Sequence, residues 1–192
     1  MRSTFPLLLT LFLTSYLILL LDTAHTRAFS AGPDPGVTGG FNEPTCNQSG
    51  CHDAYKLNAG RALGLGDLVI TGLPKQYEPG KTYPIQLAIT HTQDRKYWGF
   101  QLAARVKATG VQAGDLKPID RGTQIQGKNG IQYLEHTLDG NATNTFDFNW
   151  VAPGTAMGDV IVNAAGNATD GGLSPDGDYI YSTSIDVSPA VP

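Results

Sequence analysis

The sequence predicts an all-β protein, an antiparallel β-sandwich, and three observations lead there. Short runs of alternating apolar and polar residues recur from Asp67 to Val187, each closed by glycine, proline, asparagine or aspartate. No stretch in that region carries a helical hydrophobic period long enough for an amphipathic helix. Its length, about 120 residues, is enough to bury a core between two sheets without help from cross-links.

The runs follow in order. Asp67–Thr71 ends at Gly72 and Pro74, and Tyr83–Thr92 follows the turn Glu78-Pro79-Gly80-Lys81. In the latter, Ile85, Leu87 and Ile89 alternate with Gln86, Ala88 and Thr90, which predicts one buried and one wet face. Gly99–Lys107 places Phe100, Leu102, Ala104 and Val106 on one side. Ile131–Thr137 and Thr145–Val151 alternate likewise, the second through Phe146, Phe148 and Trp150. Asp159–Ala165 and Tyr179–Val187 complete the strong set, with weaker strands expected at Val111–Leu116 and Thr123–Gln126. Seven to nine short strands at this spacing suit two packed sheets.

Before the sandwich the pattern differs. Arg2, the apolar run Phe5–Leu21 and the small residues Ala24, Ala28 and Ala31 read as an export signal, cleaved after Ala28 or Ala31. The run has 17 residues, so an uncleaved N-terminal anchor is the alternative. No cysteine follows it to carry a lipid, and no second apolar run or C-terminal anchor is seen. The expected divisions are 1–28 as signal, 29–64 as an irregular segment, and 65–189 as the sandwich. Removing 1–28 leaves 11 basic and 16 acidic side chains. That acidic balance, without a basic stripe, argues against nucleic acid, and no polybasic stretch addresses anionic lipid. Phe29–Glu43 is rich in glycine and proline and should be irregular, and Asp53–Gly60 could form one or two helical turns.

Within 29–64 lie the only two cysteines, in Thr45-Cys46-Asn47-Gln48-Ser49-Gly50-Cys51-His52. Two thiols followed directly by an imidazole is the arrangement c-type haem attachment requires: the sulfurs add to the porphyrin vinyl groups and the histidine ligates iron. Four residues separate these cysteines, whereas the usual form has two. The alternatives are a small disulfide loop, natural in an exported protein, with His52 an ordinary surface histidine, or a metal site or free thiols.

Trp98-Gly99-Phe100-Gln101-Leu102-Ala103-Ala104-Arg105, Ala113-Gly114-Asp115-Leu116, Glu135-His136-Thr137 and Trp150-Val151-Ala152-Pro153 together resemble the reeler domain in order and spacing. The resemblance spans about Asp67 to Val187 and implies a secreted, immunoglobulin-like β-sandwich. The preceding region resembles bacterial choice-of-anchor V proteins, in which a Gly/Pro-rich leader and a Thr-Cys-x-x-Cys-His element precede the reeler-like part. Thr45, Cys46, Cys51 and His52 match that element with two residues inserted. Asn58, Gly60, Tyr77, Pro79, Gly80 and Tyr83 match the connection that follows, and Asp178-Tyr179-Ile180-Tyr181 the end. The family's C-terminal sorting anchor is not matched. The resemblance strengthens the haem reading and implies no enzymatic activity.

On that reading one haem c is held by Cys46, Cys51 and His52, with His52 the proximal iron ligand. His136 is a candidate sixth ligand, although its place in the reeler pattern also suits a structural histidine; His91 and Met157 are the other candidates. Asp170, Asp176 and Asp178 lie among glycines in a loop of calcium-site composition or, more plainly, a solvated turn. Asn47, Asn141 and Asn167 head glycosylation sequons. No serine stands in a nucleophile-elbow pattern, so the sequence does not point to a hydrolase. Two functions are expected: an exported monohaem carrier passing single electrons to a redox partner, or a non-catalytic module binding an extracellular ligand, with Cys46 and Cys51 as a disulfide.

Overall fold

The structure is a computed structural model and describes residues 30–48, 51–172 and 174–191. The export signal expected at 1–28 lies outside the described residues. Alternation of side chains builds two sheets. The four-stranded sheet has the order β1 (Gly66–Thr71), β3 (Thr82–His91), β8 (Thr145–Val151), β5 (Asp115–Pro118). The six-stranded sheet runs β2 (Gln76–Tyr77), β10 (Tyr179–Pro189), β9 (Val160–Thr169), β4 (Tyr97–Val106), β7 (Ile131–His136), β6 (Thr123–Lys128). Apart from the short parallel pairing of β2 with β10, neighbours are antiparallel.

Between the sheets lies one core. Leu68, Ile85, Leu87, Ile89, Phe146, Phe148 and Trp150 meet Phe100, Leu102, Ala104, Val162, Ala164 and Tyr181 there. The aromatic side chains predicted to share a face do so, and the Trp150 indole donates to the Ala113 carbonyl at 2.9 Å. Gly166 faces this core, where an added Cβ would come within 2.4 Å of Leu68. Asn129 and Gly130, both at positive φ, close the β6–β7 hairpin as a two-residue turn.

Two features depart from the sequence expectation. β9 continues to Thr169, beyond the expected end at Ala165, because Gly166–Thr169 stay in register with both β4 and β10. The helical turn is also shorter and later, α1 (Ala59–Ala62). Gly60 lies inside it, packed so closely that a Cβ would meet the Tyr181 hydroxyl at 2.0 Å.

The larger surprise is a third layer. β4 and β9 are buried on both faces almost throughout, because the irregular segment from Ser30 to Asn58 runs across the outer face of the six-stranded sheet. Gln101 accepts the Gly36 and Val37 amides at 2.9 and 2.8 Å and donates to Glu135 at 2.9 Å. Gln124 and Gln126 also donate to Glu135, and Gln124 reaches the Ala31 carbonyl. Further along, Glu43 joins the buried Arg105, accepts Tyr133 Oη at 2.5 Å and accepts Thr38 Oγ1 at 2.6 Å. The Phe41 ring covers the guanidinium with its centroid 5.1 Å away. Thus the described residues of this segment from Ser30 onward form a cover docked on the sandwich through buried polar groups.

Candidate functional site

The cover turns at Thr45 into the cysteine loop at one end of the sandwich. That end is formed by the β3–β4 loop and the β9–β10 loop. The loop closes on itself: the His52 amide donates to the Cys46 carbonyl at 3.2 Å, and the Cys51 amide to Gln48 at 2.9 Å. Asn47 fastens it by donating to the His52 and Tyr55 carbonyls, both at 2.7 Å. Cys46 and Cys51 are half-buried and unbridged. Burial, with Cys51 close by, pushes the Cys46 thiol up to about 12.

His52 makes the contact that ties this loop to the sandwich. Its Nδ1 lies 2.7 Å from Oδ2 of Asp178, the residue just before β10, whose side chain is 3 % exposed against 17 % for His52. Asp178 also accepts the Asp170 amide at 3.3 Å and the Asn167 side-chain amide at 3.4 Å. Next to it, Tyr179 stacks on Tyr55 of the cover at 4.3 Å between centroids, with Arg95 over Tyr179 at 4.9 Å.

The remaining candidates are placed as follows. His91 comes to this end and packs on Tyr179 at 4.7 Å between centroids, its Nδ1 accepting the Gln93 amide at 3.1 Å and its Nε2 buried with no hydrogen-bond partner. Burial, reinforced by Arg95, lowers its pKa. It packs on Tyr179, whereas His52 pairs with the neighbouring Asp178. His136 lies two strands from Asn167, on the far side of β4, about 10 Å away. Its Nδ1 accepts the Phe100 amide at 3.1 Å, so the ring continues the β4–β7 ladder where backbone pairing stops at Gln101. Gly99 makes room for it. Met157 sits at the opposite end of the sandwich, its amide on Tyr77 Oη, roughly 30 Å along β10 from Asp178. The structure therefore does not bring Met157 to His52.

The acidic loop does not converge either. Asp178 faces His52, Asp170 accepts the Gly172 amide at 2.8 Å, and Asp176 accepts Ser174 Oγ at 2.7 Å. Among the described residues no group of three histidine, cysteine or acidic side chains is arranged to hold a metal ion.

Cys46, Cys51 and His52, the residues expected to hold haem, share one loop: both thiols are unbridged, Asp178 engages Nδ1 of His52, and the Asn167 side-chain amide lies 3.4 Å from its Nε2. Sequence reasoning singled out those three residues as candidates and did not single out Asp178 as the partner of His52. The match at Asp178-Tyr179-Ile180-Tyr181 was its one signal.

A concave feature of about 570 Å³ opens between β1 and β10. Arg61, Asp67, Val69, Asn163, Ser182 and Ser184 line it.

Among known proteins, the family model described as Reeler domain matches residues 66–167. No curated protein matches the chain. Among solved structures, the human F-spondin reeler domain is 20 % identical, with a TM-score of 0.47 over 65 % of this chain and 89 % of that one. The Reelin-N domain of F-spondin is 22 % identical, with a TM-score of 0.49 over 66 % and 86 %. A cohesin module from a Clostridium perfringens family 33 glycoside hydrolase is 15 % identical, with a TM-score of 0.44 over 65 % and 96 %.

Proposed function

This chain belongs to the reeler domain family, whose model covers residues 66–167, and from that premise we propose that it is an exported, non-catalytic binding module. The carrying observation is the open groove between β1 and β10. Its walls offer neutral hydroxyl and amide groups from Asn163, Ser182 and Ser184, a paired Arg61 and Asp67, and the exposed Val69. Such a surface suits an uncharged extracellular ligand that presents hydroxyl or amide groups. Glycan and peptide arrays probed with the protein and with Val69→Arg test this. Retention of a neutral ligand by the wild type, lost in Val69→Arg, supports it. An empty array, or binding indifferent to Val69→Arg, refutes it.

A second reading is favoured by one observation, the gathering of both free thiols and His52 on a single closed loop. It makes the chain a choice-of-anchor V type protein bearing one covalent haem c, passing single electrons to a redox partner. Bound there, haem would supply a one-electron couple; Cys46 and Cys51 would anchor it and His52 would ligate it. No helix among the described residues is long and apolar enough to cross a membrane. Intact mass after expression with haem-attachment machinery separates the states: an added porphyrin supports haem, and a loss of about two protons indicates the disulfide.

A further inference from the structure

We infer that the ligand of the β1–β10 groove is a short extended peptide, added as a strand to the open edge of β10. This rests on the reading of that groove as a binding site. Odd-numbered residues of β10 exchange hydrogen bonds with β9, so the backbone groups of even-numbered ones point to the opposite edge. That edge is capped at both ends. Beside α1, the Asn58 amide donates to the Ile180 carbonyl at 2.9 Å, the Ser182 amide to Asn58 Oδ1 at 2.8 Å and Arg61 to the Ser182 carbonyl at 3.0 Å. Toward β2, the Ser188 amide donates to the Lys75 carbonyl at 3.2 Å. Between these caps the amides and carbonyls of Ser184 and Asp186 meet no hydrogen-bond partner among the described residues. Their side chains are engaged elsewhere, Ser184 Oγ by Asn163 at 2.8 Å and Asp186 by Lys107 at 2.7 Å. Across the groove, in β1, Ile70 likewise turns its amide and carbonyl away from β3.

Ser184 and Asp186 each offer an outward donor and acceptor, about 7 Å apart along the strand, and so form half of a β-ladder. An extended peptide supplies the other half. The window from Ser182 to Ser188 is about 20 Å long at about 3.3 Å per residue, which admits a strand of a few residues. β10 itself has 11 residues, so the same edge of a second copy would run into Asn58 and β2. The charges bordering the window are already paired, Arg61 with Asp67 and Lys107 with Asp186, so the peptide that fits is neutral. Alternation sends one set of its side chains inward beside Thr183 and Ile185, and the other outward beside Ser182 and Ser184. Aliphatic side chains suit the first set and hydroxyl side chains the second.

The full chain titrated with the neutral pentapeptide acetyl-Thr-Val-Thr-Val-Thr-amide tests this, with hydrogen exchange followed at single amides. On binding, the Ser184 and Asp186 amides should exchange about tenfold more slowly, as for one hydrogen bond gained. Only every second amide of an added strand faces β10. N-methylation of the peptide at one alternate set should therefore weaken binding about tenfold per hydrogen bond lost, and at the other set should leave it unchanged. Slowed exchange at both amides together with that alternation supports strand addition. Binding that leaves both amides exchanging as before, or an N-methyl scan without alternation, overturns it while the groove stands as a binding site. Retention of a glycan sensitive to Val69→Arg, with no binding of the peptide, overturns it in the same way. Slowing at both amides that grows with protein concentration in the absence of peptide assigns the edge to a second copy and also overturns it. If neither the peptide nor any array ligand is retained, the binding-module reading fails and strand addition with it.

Discussion

The cover is held by a buried charge, and Glu43→Ala should show how firmly. Glu43 and Arg105 have side chains 16 % and 6 % exposed, so neither is well screened by water. Removing the carboxylate leaves the buried Arg105, among the described residues, with Tyr133 Oη at 2.7 Å and the Phe41 and Tyr133 rings as partners of its guanidinium. It also strips the acceptor from Thr38 and from Tyr133. Breaking one side of a buried pair costs about 3 kcal/mol or more. Glu43→Gln keeps an acceptor and should cost about 1–2 kcal/mol. Against a total stability of about 5–15 kcal/mol, the first loss is severe. Urea unfolding followed by the fluorescence of Trp98 and Trp150, both in the sandwich, measures the global effect. Hydrogen exchange at the Gly36, Val37 and Gly40 amides reports on the cover itself. If Glu43→Ala costs under about 0.5 kcal/mol, the range of ordinary surface substitutions, and leaves those amides protected, the docking argument fails.

Three further outcomes follow from the same structure. Gly99→Ala places a Cβ 2.7 Å from His136 Cε1 inside the sheet and should lower stability by about 1–3 kcal/mol; Gly127→Ala, with nothing within 4 Å, should move it by less than about 0.5 kcal/mol. A thermal melt of both decides, and equal effects refute the packing reading. For pH, burial raises the Glu135 carboxyl and outweighs its three glutamine hydrogen bonds, so its contribution is present below the ordinary value of 4.5 and lost as pH rises through its folded value. At Glu43 burial also raises, but Thr38, Tyr133 and Arg105 prevail and hold the carboxyl low; its contribution is present above 4.5 and lost as pH falls through the folded value. Glu135→Gln should therefore gain on wild type as pH rises from acid to neutral, and Glu43→Gln should lose over the same interval; two pH-independent differences in urea stability would refute the assignments. Finally, with the Cys46 thiol at about 12, iodoacetamide should label Cys46 of the reduced folded protein far more slowly than of the unfolded chain, and equal rates by peptide mass would contradict its burial.

Most of the sandwich was legible because period-2 alternation is a direct imprint of one buried face. β8 shows it in Phe146, Phe148 and Trp150, and its bounds were read as they stand. β4 was found from Phe100, Leu102, Ala104 and Val106, and the burial of its other face was not foreseen. Gln101 and Arg105 there are 0 % and 5 % exposed, because what covers them is a glycine-rich stretch with no periodicity of its own. β2 escaped since two residues carry no period, and the end of β9 escaped since Gly166–Thr169 lacks β-formers and is held only by its neighbours. Of the site, the cysteines and His52 were readable as a local motif. Asp178 stood in a matched stretch, but nothing there tells that its carboxylate meets a histidine 126 positions away. The same holds for Glu43 with Arg105, whose pairing is set by where the cover lies.

The layer over Gln101, Arg105, Glu135 and Asn163 also separates homology from autonomy. The recognisable family region starts at Gly66, but a chain cut there would leave a guanidinium, a carboxylate and several amides on an abruptly bared sheet, with Ala103 and Ala165 as bare patches among them. Such a fragment would gain a wide sticky flank and tend to self-associate. A fragment meant to keep this layer must include the chain from Ser30 onward, whose carbonyl already accepts the Asn141 side chain, well upstream of the first residue that the family model matches.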